Sequence, residues 1–343
     1  MEYLSGKAME EINEKNMNNE FRPSGTKIKY VYGPVPSRRI GRSLGVDLVP
    51  FKICNYDCIY CQLGRTTSKT MERKEYISPE LILRDLHDKL SSGDKPDYIT
   101  ISGSGEPTLN SSLDEVISKI KKMTDIPLAV LTNGSLLHLS EIRKSCCEAD
   151  LVLPSLDAGE KSMFKHVNRP CKEIEFDEMV EGLIKLREEY DGRIWLEVFL
   201  LGGVNSLNSD VMKIKTRIDK IKPDKVQINT VARPPAENYA LRVDYPQLVE
   251  SCKLLGDNAE IIAGFTGQCR YDQSSISKND ILTLISRRPC SLEDIARGLN
   301  AHPNEIIKYI DTLISNGIVE EMRHSGKIFY FCKKTDTGRS PKC

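Results

Sequence analysis

Asp97-Tyr98-Ile99-Thr100-Ile101-Ser102-Gly103-Ser104-Gly105-Glu106-Pro107 decides the architecture, because it passes from a β-rich run through a glycine turn towards a helix. The β-branched and aromatic residues of 97–102 read as a strand. Apolar positions at helical spacing follow over about Leu109 to Met123, and Pro127 to Thr132 is the next strand. The alternation extends both ways. Upstream lie a strand at Leu44 to Val49 and a helix opened by Ser78-Pro79-Glu80 and stopped at Gly93. Downstream come a helix at Leu139 to Cys147, a strand at Asp150 to Ser155, a helix at Phe176 to Tyr190 and a strand at Ile194 to Leu201. A helix at Ser209 to Ile221, a strand at Lys225 to Asn229, a helix at Tyr245 to Leu255 and a short strand at Ala259 to Ala263 complete the series. Such repeats imply a parallel sheet with right-handed crossovers. An open sheet and a barrel both satisfy the pattern, and either puts chemistry at the carboxyl ends of the strands.

Composition bounds the rest. The 343 residues correspond to two domains at about 150 each. With 39% apolar and 29% charged residues the chain has enough to bury a core. No apolar run approaches the length of a membrane span, and the N-terminus lacks the apolar core of a secretory signal. The expected location is the cytoplasm, without a membrane partner. Forty-nine basic residues balance 49 acidic ones, which excludes bulk nucleic-acid binding by charge. Residues 1–29 and 333–343 are polar and aperiodic and read as disordered tails. Residues 30–263 form the main domain, 264–277 a linker and 278–332 a second module.

Eleven cysteines in a chain without an export signal are expected to be reduced. Three of them, in Cys54-Asn55-Tyr56-Asp57-Cys58-Ile59-Tyr60-Cys61, fall within eight residues just after a strand. One short loop can wrap three thiolates around a soft-metal centre. A tetrahedral zinc site wants a fourth ligand, normally from a second short-spaced pair, and the sequence offers none. A 4Fe–4S cluster held by three cysteines keeps one iron open, as a catalytic centre needs.

This C-x3-C-x-aromatic-C run resembles the signature of the radical S-adenosylmethionine (radical SAM) enzymes. The resemblance implies a 4Fe–4S cluster on Cys54, Cys58 and Cys61, with S-adenosylmethionine chelated by the open iron and Tyr60 against its adenine. One-electron reduction, from a donor of flavodoxin or ferredoxin type, then yields a 5′-deoxyadenosyl radical. Later strand ends fall where the family contacts the cofactor. Ser104-Gly105-Glu106 resembles its glycine-glycine-glutamate motif, and Thr132-Asn133 and Ser155-Leu156-Asp157 resemble the positions at the methionine and ribose. The resemblance covers about Tyr30 to Ala263 and implies an α/β fold, a partial (βα)6 TIM-type barrel. Ser155-Leu156-Asp157-Ala158-Gly159 and Val167-Asn168-Arg169-Pro170 are similar to the tRNA wyosine-base synthases. Those carry a second cysteine cluster ahead of the triplet, whereas no cysteine here precedes Cys54.

Arg38, Arg39 and Arg42 lie in a basic stretch ahead of the first strand, and Arg38 and Arg39 are candidates to clamp a phosphate or carboxylate. Arg169 and Arg233 follow the fourth and sixth strands and are candidate substrate contacts. Cys146, Cys147 and Cys252 read as small hydrophobes in helices, while Cys171 and Cys269 lie in loops.

In the second module, three helical patterns (Asn279 to Arg288, Leu292 to about Gly298, Pro303 to Asn316) precede a hairpin around Ser325-Gly326, so a small winged-helix domain is expected. Its third helix bears Glu305, Lys308 and Asp311, a poor charge pattern for DNA phosphates. Two functional classes follow. One is an enzyme acting on RNA, a peptide or a small metabolite; the other is a DNA-binding redox regulator with the cluster as its switch. The strand-end motifs favour the enzyme, since a sensor has no need of a cofactor pocket.

Overall fold

A computed structural model describes residues 29–66, 69–93, 95–262, 277–299 and 301–333. The expected tails and linker, and Cys269, fall wholly or almost wholly outside them. The main sheet has eight strands in sequence order. They are β1 (Val31–Ser37), β2 (Gly41–Val46), β3 (Tyr98–Ile101), β4 (Leu128–Thr132), β5 (Leu151–Pro154), β6 (Arg193–Leu200), β7 (Lys225–Thr230) and β8 (Ala259–Ile261). β1 pairs antiparallel with β2, and every later pair is parallel. The order runs from β1 to β8 without closing on itself. Six main parallel strands and a short seventh follow the predicted order, β2 beginning three residues before the expected Leu44 to Val49 and ending at Val46.

The helices are α1 (Pro79–Ser91), α2 (Leu113–Met123), α3 (Ser140–Cys147), α4 (Lys161–Val167), α5 (Phe176–Glu189), α6 (Asn208–Ile221) and α7 (Tyr245–Leu255). Their apolar faces pack on strands that are buried on both sides, so residues such as Leu44, Ile99, Val130 and Val152 have no exposure. Three elements differ from expectation. β1 escaped notice because Gly33, Pro34 and Pro36 interrupt it, and prolines are tolerated on an edge strand. α4 is only seven residues long, too short for a periodic signal. α2 starts at Leu113 and not Leu109, because Pro107–Leu109 forms a separate 3-10 turn.

The position of the β1–β2 turn shows that the sheet curves. Ile40 packs with Ala129, Leu151 and Leu153 on the inner face of β4 and β5. Arg39 is paired with Glu197 on β6, and Arg38 donates to Asn229 Oδ1 on β7 at 3.3 Å. In a flat sheet β2 and β7 would lie about 24 Å apart, at roughly 4.8 Å per strand. An arginine cannot span that distance. The strands must therefore wrap around the turn, which is the partial-barrel geometry. The basic stretch read as a loop ahead of the first strand is thus a hairpin turn folded into the concave face.

Residues 277–333 form a second core. It contains α8 (Lys278–Ile285), β9 (Cys290–Ser291), α9 (Leu292–Leu299), α10 (Pro303–Ser315), β10 (Val319–His324) and β11 (Lys327–Cys332). Its three strands are ordered β10-β11-β9, all antiparallel. This module packs α8 and α9 on β1, and Val35 of β1 joins its core. An otherwise unpaired sheet edge is thereby covered. Two ion pairs tie the parts together, Arg287 Nη2 to Asp47 Oδ2 at 3.1 Å and Arg233 Nη2 to Asp294 Oδ1 at 3.0 Å. The first is nearly buried, and Arg287 also lies 4.2 Å from the Tyr32 ring centroid.

Candidate active site

Cys54, Cys58 and Cys61 line one cavity of about 430 Å³ at the carboxyl ends of the strands. Backbone bonds hold their loop. Glu106 N donates to Ile53 O at 2.9 Å, Lys52 N to Ser104 O at 2.6 Å and Ile59 N to Val167 O at 2.9 Å. Gly105 is required by this docking, because a Cβ there would lie 1.9 Å from Ile53 O. Gly103 has φ +115°, and a Cβ there would meet Asp47 Oδ1 at 2.1 Å. The glycines therefore admit the cysteine loop and Asp47.

Each sulfur has a nitrogen donor. Tyr56 N lies 3.4 Å and Asn133 Nδ2 3.8 Å from Cys54 Sγ, Asn168 Nδ2 is 3.5 Å from Cys58 Sγ, and Lys52 Nζ is 3.3 Å from Cys61 Sγ. Lys52 and Asn168 were not singled out from the sequence. Lys52 had a signal in its adjacency to the triplet; Asn168 caps the carboxyl end of α4, more than a hundred residues away. Burial, then the Glu106 charge, pushes the Cys54 thiol up to about 12. Burial, then Asp157 and the other thiols, raises Cys58 well above its usual range.

The strand-end residues fall into two groups. Ser104, Gly105, Glu106, Thr132, Asn133, Ser155 and Tyr60 line the cavity. Glu106 also binds the strand ends to one another. Its Oε1 accepts from Thr108 N at 3.1 Å, Thr108 Oγ1 at 2.6 Å and Thr132 Oγ1 at 2.7 Å, and its Oε2 from Asn133 N at 2.8 Å. Burial raises its pKa, and those same bonds work against the rise. Asp157, by contrast, lies behind the wall. It accepts from the Tyr60 hydroxyl, from Asn168 Nδ2 at 2.7 Å and from Phe199 N at 2.9 Å. It thus fixes Tyr60, whose ring stacks on Phe199 with centroids 3.9 Å apart.

Of the arginines, Arg38, Arg39 and Arg233 line the cavity, joined by Arg287 and Arg288 of the C-terminal module, which sequence reasoning missed. Arg169 is the exception. It pairs with Glu237 at 2.6 Å and Asp57 at 3.6 Å, donates to the Tyr239 hydroxyl at 2.7 Å, and does not line the cavity. Cys171 is likewise buried outside the cavity.

Residues 48–206 match the Radical SAM superfamily, so the chain carries a radical SAM domain. A protein of Brachyspira hyodysenteriae named GTPase Obg is 38% identical over 317 residues, 92% of this chain but 47% of that one. The chain spans about half the length of that relative. A UPF0026 protein of Methanocaldococcus jannaschii is 34% identical over 308 residues, covering 87% of this chain and 94% of the other. The chain belongs to the UPF0026 family. In fold it is similar to a radical SAM methyltransferase from Sphaerobacter thermophilus, with a TM-score of 0.51 and 14% identity over 64% of this chain and 65% of that one.

Radical SAM enzymes use a 4Fe–4S cluster and S-adenosylmethionine. The residues fit both. The three thiols line one cavity, each with its own nitrogen donor. That suits a cluster presenting separate irons to separate sulfurs. Thiolates this buried also need compensating positive charge, which iron supplies. Beside them Tyr56 points a buried hydroxyl that has no hydrogen-bond partner among the described residues.

Asp157 makes a pH prediction. Burial lifts its pKa from 3.8 to about 6, against the bonds from Tyr60, Asn168 and Phe199. The folded chain therefore holds this proton longer than the unfolded chain. Its contribution makes stability fall as pH rises from about 4 to about 6 and level off above, by an amount on the order of 3 kcal/mol. Urea midpoints measured across that range should converge for the parent and Asp157→Asn at one end and diverge at the other. Parallel profiles would show that Asp157 titrates as an ordinary carboxylate.

Proposed function

We propose that this chain is a radical SAM enzyme in which Cys54, Cys58 and Cys61 hold the 4Fe–4S cluster. S-adenosylmethionine is held among Tyr60, Ser104, Gly105, Thr132, Asn133 and Ser155, with Glu106 and Asp157 fixing that wall. The observation that carries this reading is that three thiols and three polar strand ends line a single cavity. Held by these three cysteines and supplied with an electron by a low-potential donor of flavodoxin or ferredoxin type, the cluster would supply the reductive cleavage of S-adenosylmethionine typical of radical SAM enzymes. The protein's own groups do the rest. Lys52, Asn133 and Asn168 direct nitrogens at the sulfurs, Tyr60 offers a clamped aromatic face, and the C-terminal module shields the β1 side.

The order of helices and strands in residues 278–332 supports reading that module as a winged helix docked on residues 30–263. Its exposed third-helix face carries Glu305 and Asp311 beside Lys308, which gives a DNA-binding regulator no support. The cytoplasm, with its reductants, is the setting this chemistry requires. Anaerobic incubation of reconstituted protein with S-adenosylmethionine and a low-potential reductant should release 5′-deoxyadenosine, dependent on both cluster and reductant. Cleavage that is absent, or that persists without the cluster, would falsify the assignment.

A further inference from the structure

The cavity's charges do not balance. Seven of its lining side chains are cationic and three are carboxylates. Arg39 is matched by Glu197, and Arg287 by Asp47 just behind the wall. Lys52 faces the Cys61 sulfur. Arg297, the seventh, has an interaction of its own, and Arg38, Arg233 and Arg288 share one lining carboxylate, Asp294, which pairs with Arg233. Burial would raise the Asp294 pKa, yet Arg233 and Arg288 together hold it below its usual range. Among the described residues, Arg38 donates to the side-chain amide oxygen of Asn229 and to no carboxylate.

The three guanidiniums repel one another. Burial, then Arg233, Arg39 and Arg288, pulls Arg38 down to about 10, with Glu197 opposing. Burial and then Arg288 lower Arg233, whose Nε is buried without a hydrogen-bond partner among the described residues. Burial works against the Arg288 charge too, but Cys290, Tyr32 and Asp294 more than restore it. Like charges gathered in a half-enclosed space cost free energy unless something neutralises them. Among the described residues Asp294 offsets one of the three charges, and all three guanidiniums line the same cavity as the thiols.

We infer that Arg38, Arg233 and Arg288 form a binding site for the phosphate or diphosphate group of a small-molecule substrate, completed by the C-terminal module. This rests on reading the cavity as the active site and adds the substrate's chemical class. Three convergent guanidiniums call for more than the single charge of a carboxylate, and the planar fork of arginine matches phosphate oxygens. Size argues for a small molecule: the cavity is about 430 Å³ and is shared with the cofactor. The three arginines come from the β1–β2 turn, the loop after β7 and the segment after α8, so only the docked module makes the site whole.

The test uses the full chain, iron-free and reconstituted, with inorganic pyrophosphate as the probe in isothermal titration. One pyrophosphate should bind per chain, and Arg38→Gln and Arg288→Gln should each weaken it by about tenfold or more. Without the anion, in chloride buffer, Arg38→Gln should melt above the parent, because one repelling charge is gone. A residue serving only structure would show the opposite. Should a Gln variant not fold, Arg38→Lys and Arg288→Lys keep the charge, lose the fork, and should still weaken pyrophosphate. Binding no stronger than that of chloride at matched ionic strength would overturn the inference, as would unchanged affinity in the variants. Citrate binding as tightly as pyrophosphate would overturn the phosphate assignment. A single-stranded RNA oligomer that displaces pyrophosphate with the same variant sensitivity would overturn the small-molecule assignment. Pyrophosphate binding does not need the cluster, so its failure and a failure to release 5′-deoxyadenosine are separate results.

Discussion

Anaerobic reconstitution of the Cys54→Ala, Cys58→Ala, Cys61→Ala variant should yield no bound iron, against about four per chain for the parent. Release of 5′-deoxyadenosine should fall to background with it. The expectation follows from where the sulfurs lie. All three line one cavity, each within reach of a nitrogen donor, and burial keeps at least Cys54 and Cys58 from ionising without a compensating cation. Cys171→Ala is the matched control. That thiol is buried outside the cavity, so its loss should leave iron content intact. A triple variant that keeps its iron would move the cluster elsewhere and remove the basis of the proposed chemistry.

Gly105→Ala should come close to the same loss of iron without touching a ligand. The added methyl would lie 1.9 Å from Ile53 O and 2.9 Å from a Val49 methyl carbon. One atom is backbone and the other a core side chain, so neither can rotate away. The loop must shift by an ångström or more, breaking the bond from Glu106 N to Ile53 O and carrying Cys54, the next residue, with it. Overpacking of this kind costs roughly 1–3 kcal/mol in stability. The larger effect should appear in iron per chain and in the thermal midpoint of the reconstituted protein, compared with the apo form. If both forms match the parent, the loop tolerates displacement and Gly105 serves some other purpose.

Much of the fold was legible along the chain. Parallel strands buried on both faces leave β-branched runs at regular intervals, and each crossover helix leaves an apolar stripe, so β2 to β8 and most helices follow in the order the periodicity predicts. The cysteine triplet was legible for the same local reason: a loop that wraps one centre keeps its ligands close in sequence. β1 was not, because its prolines and glycine erase the strand signal. Nor was the role of Gly105, since a close approach between residues 53 and 105 has no local mark.

By itself, then, the sequence determined the strand–helix repeat, the three-thiol loop and the polar residues at successive strand ends. All of these are set by spacing within a single element or turn. Only the tertiary structure decided which charges face the same space. It folded the Arg38–Arg39 turn into the concave face to meet β6 and β7, removed Arg169 to a pair with Glu237, and set Asp157 behind Tyr60 as its support. It also brought Arg287 to Asp47 and Arg288 to the cavity from a module some 240 residues further along the chain. Such pairings depend on curvature and docking, which accumulate over the whole sheet, so no window of sequence carries them.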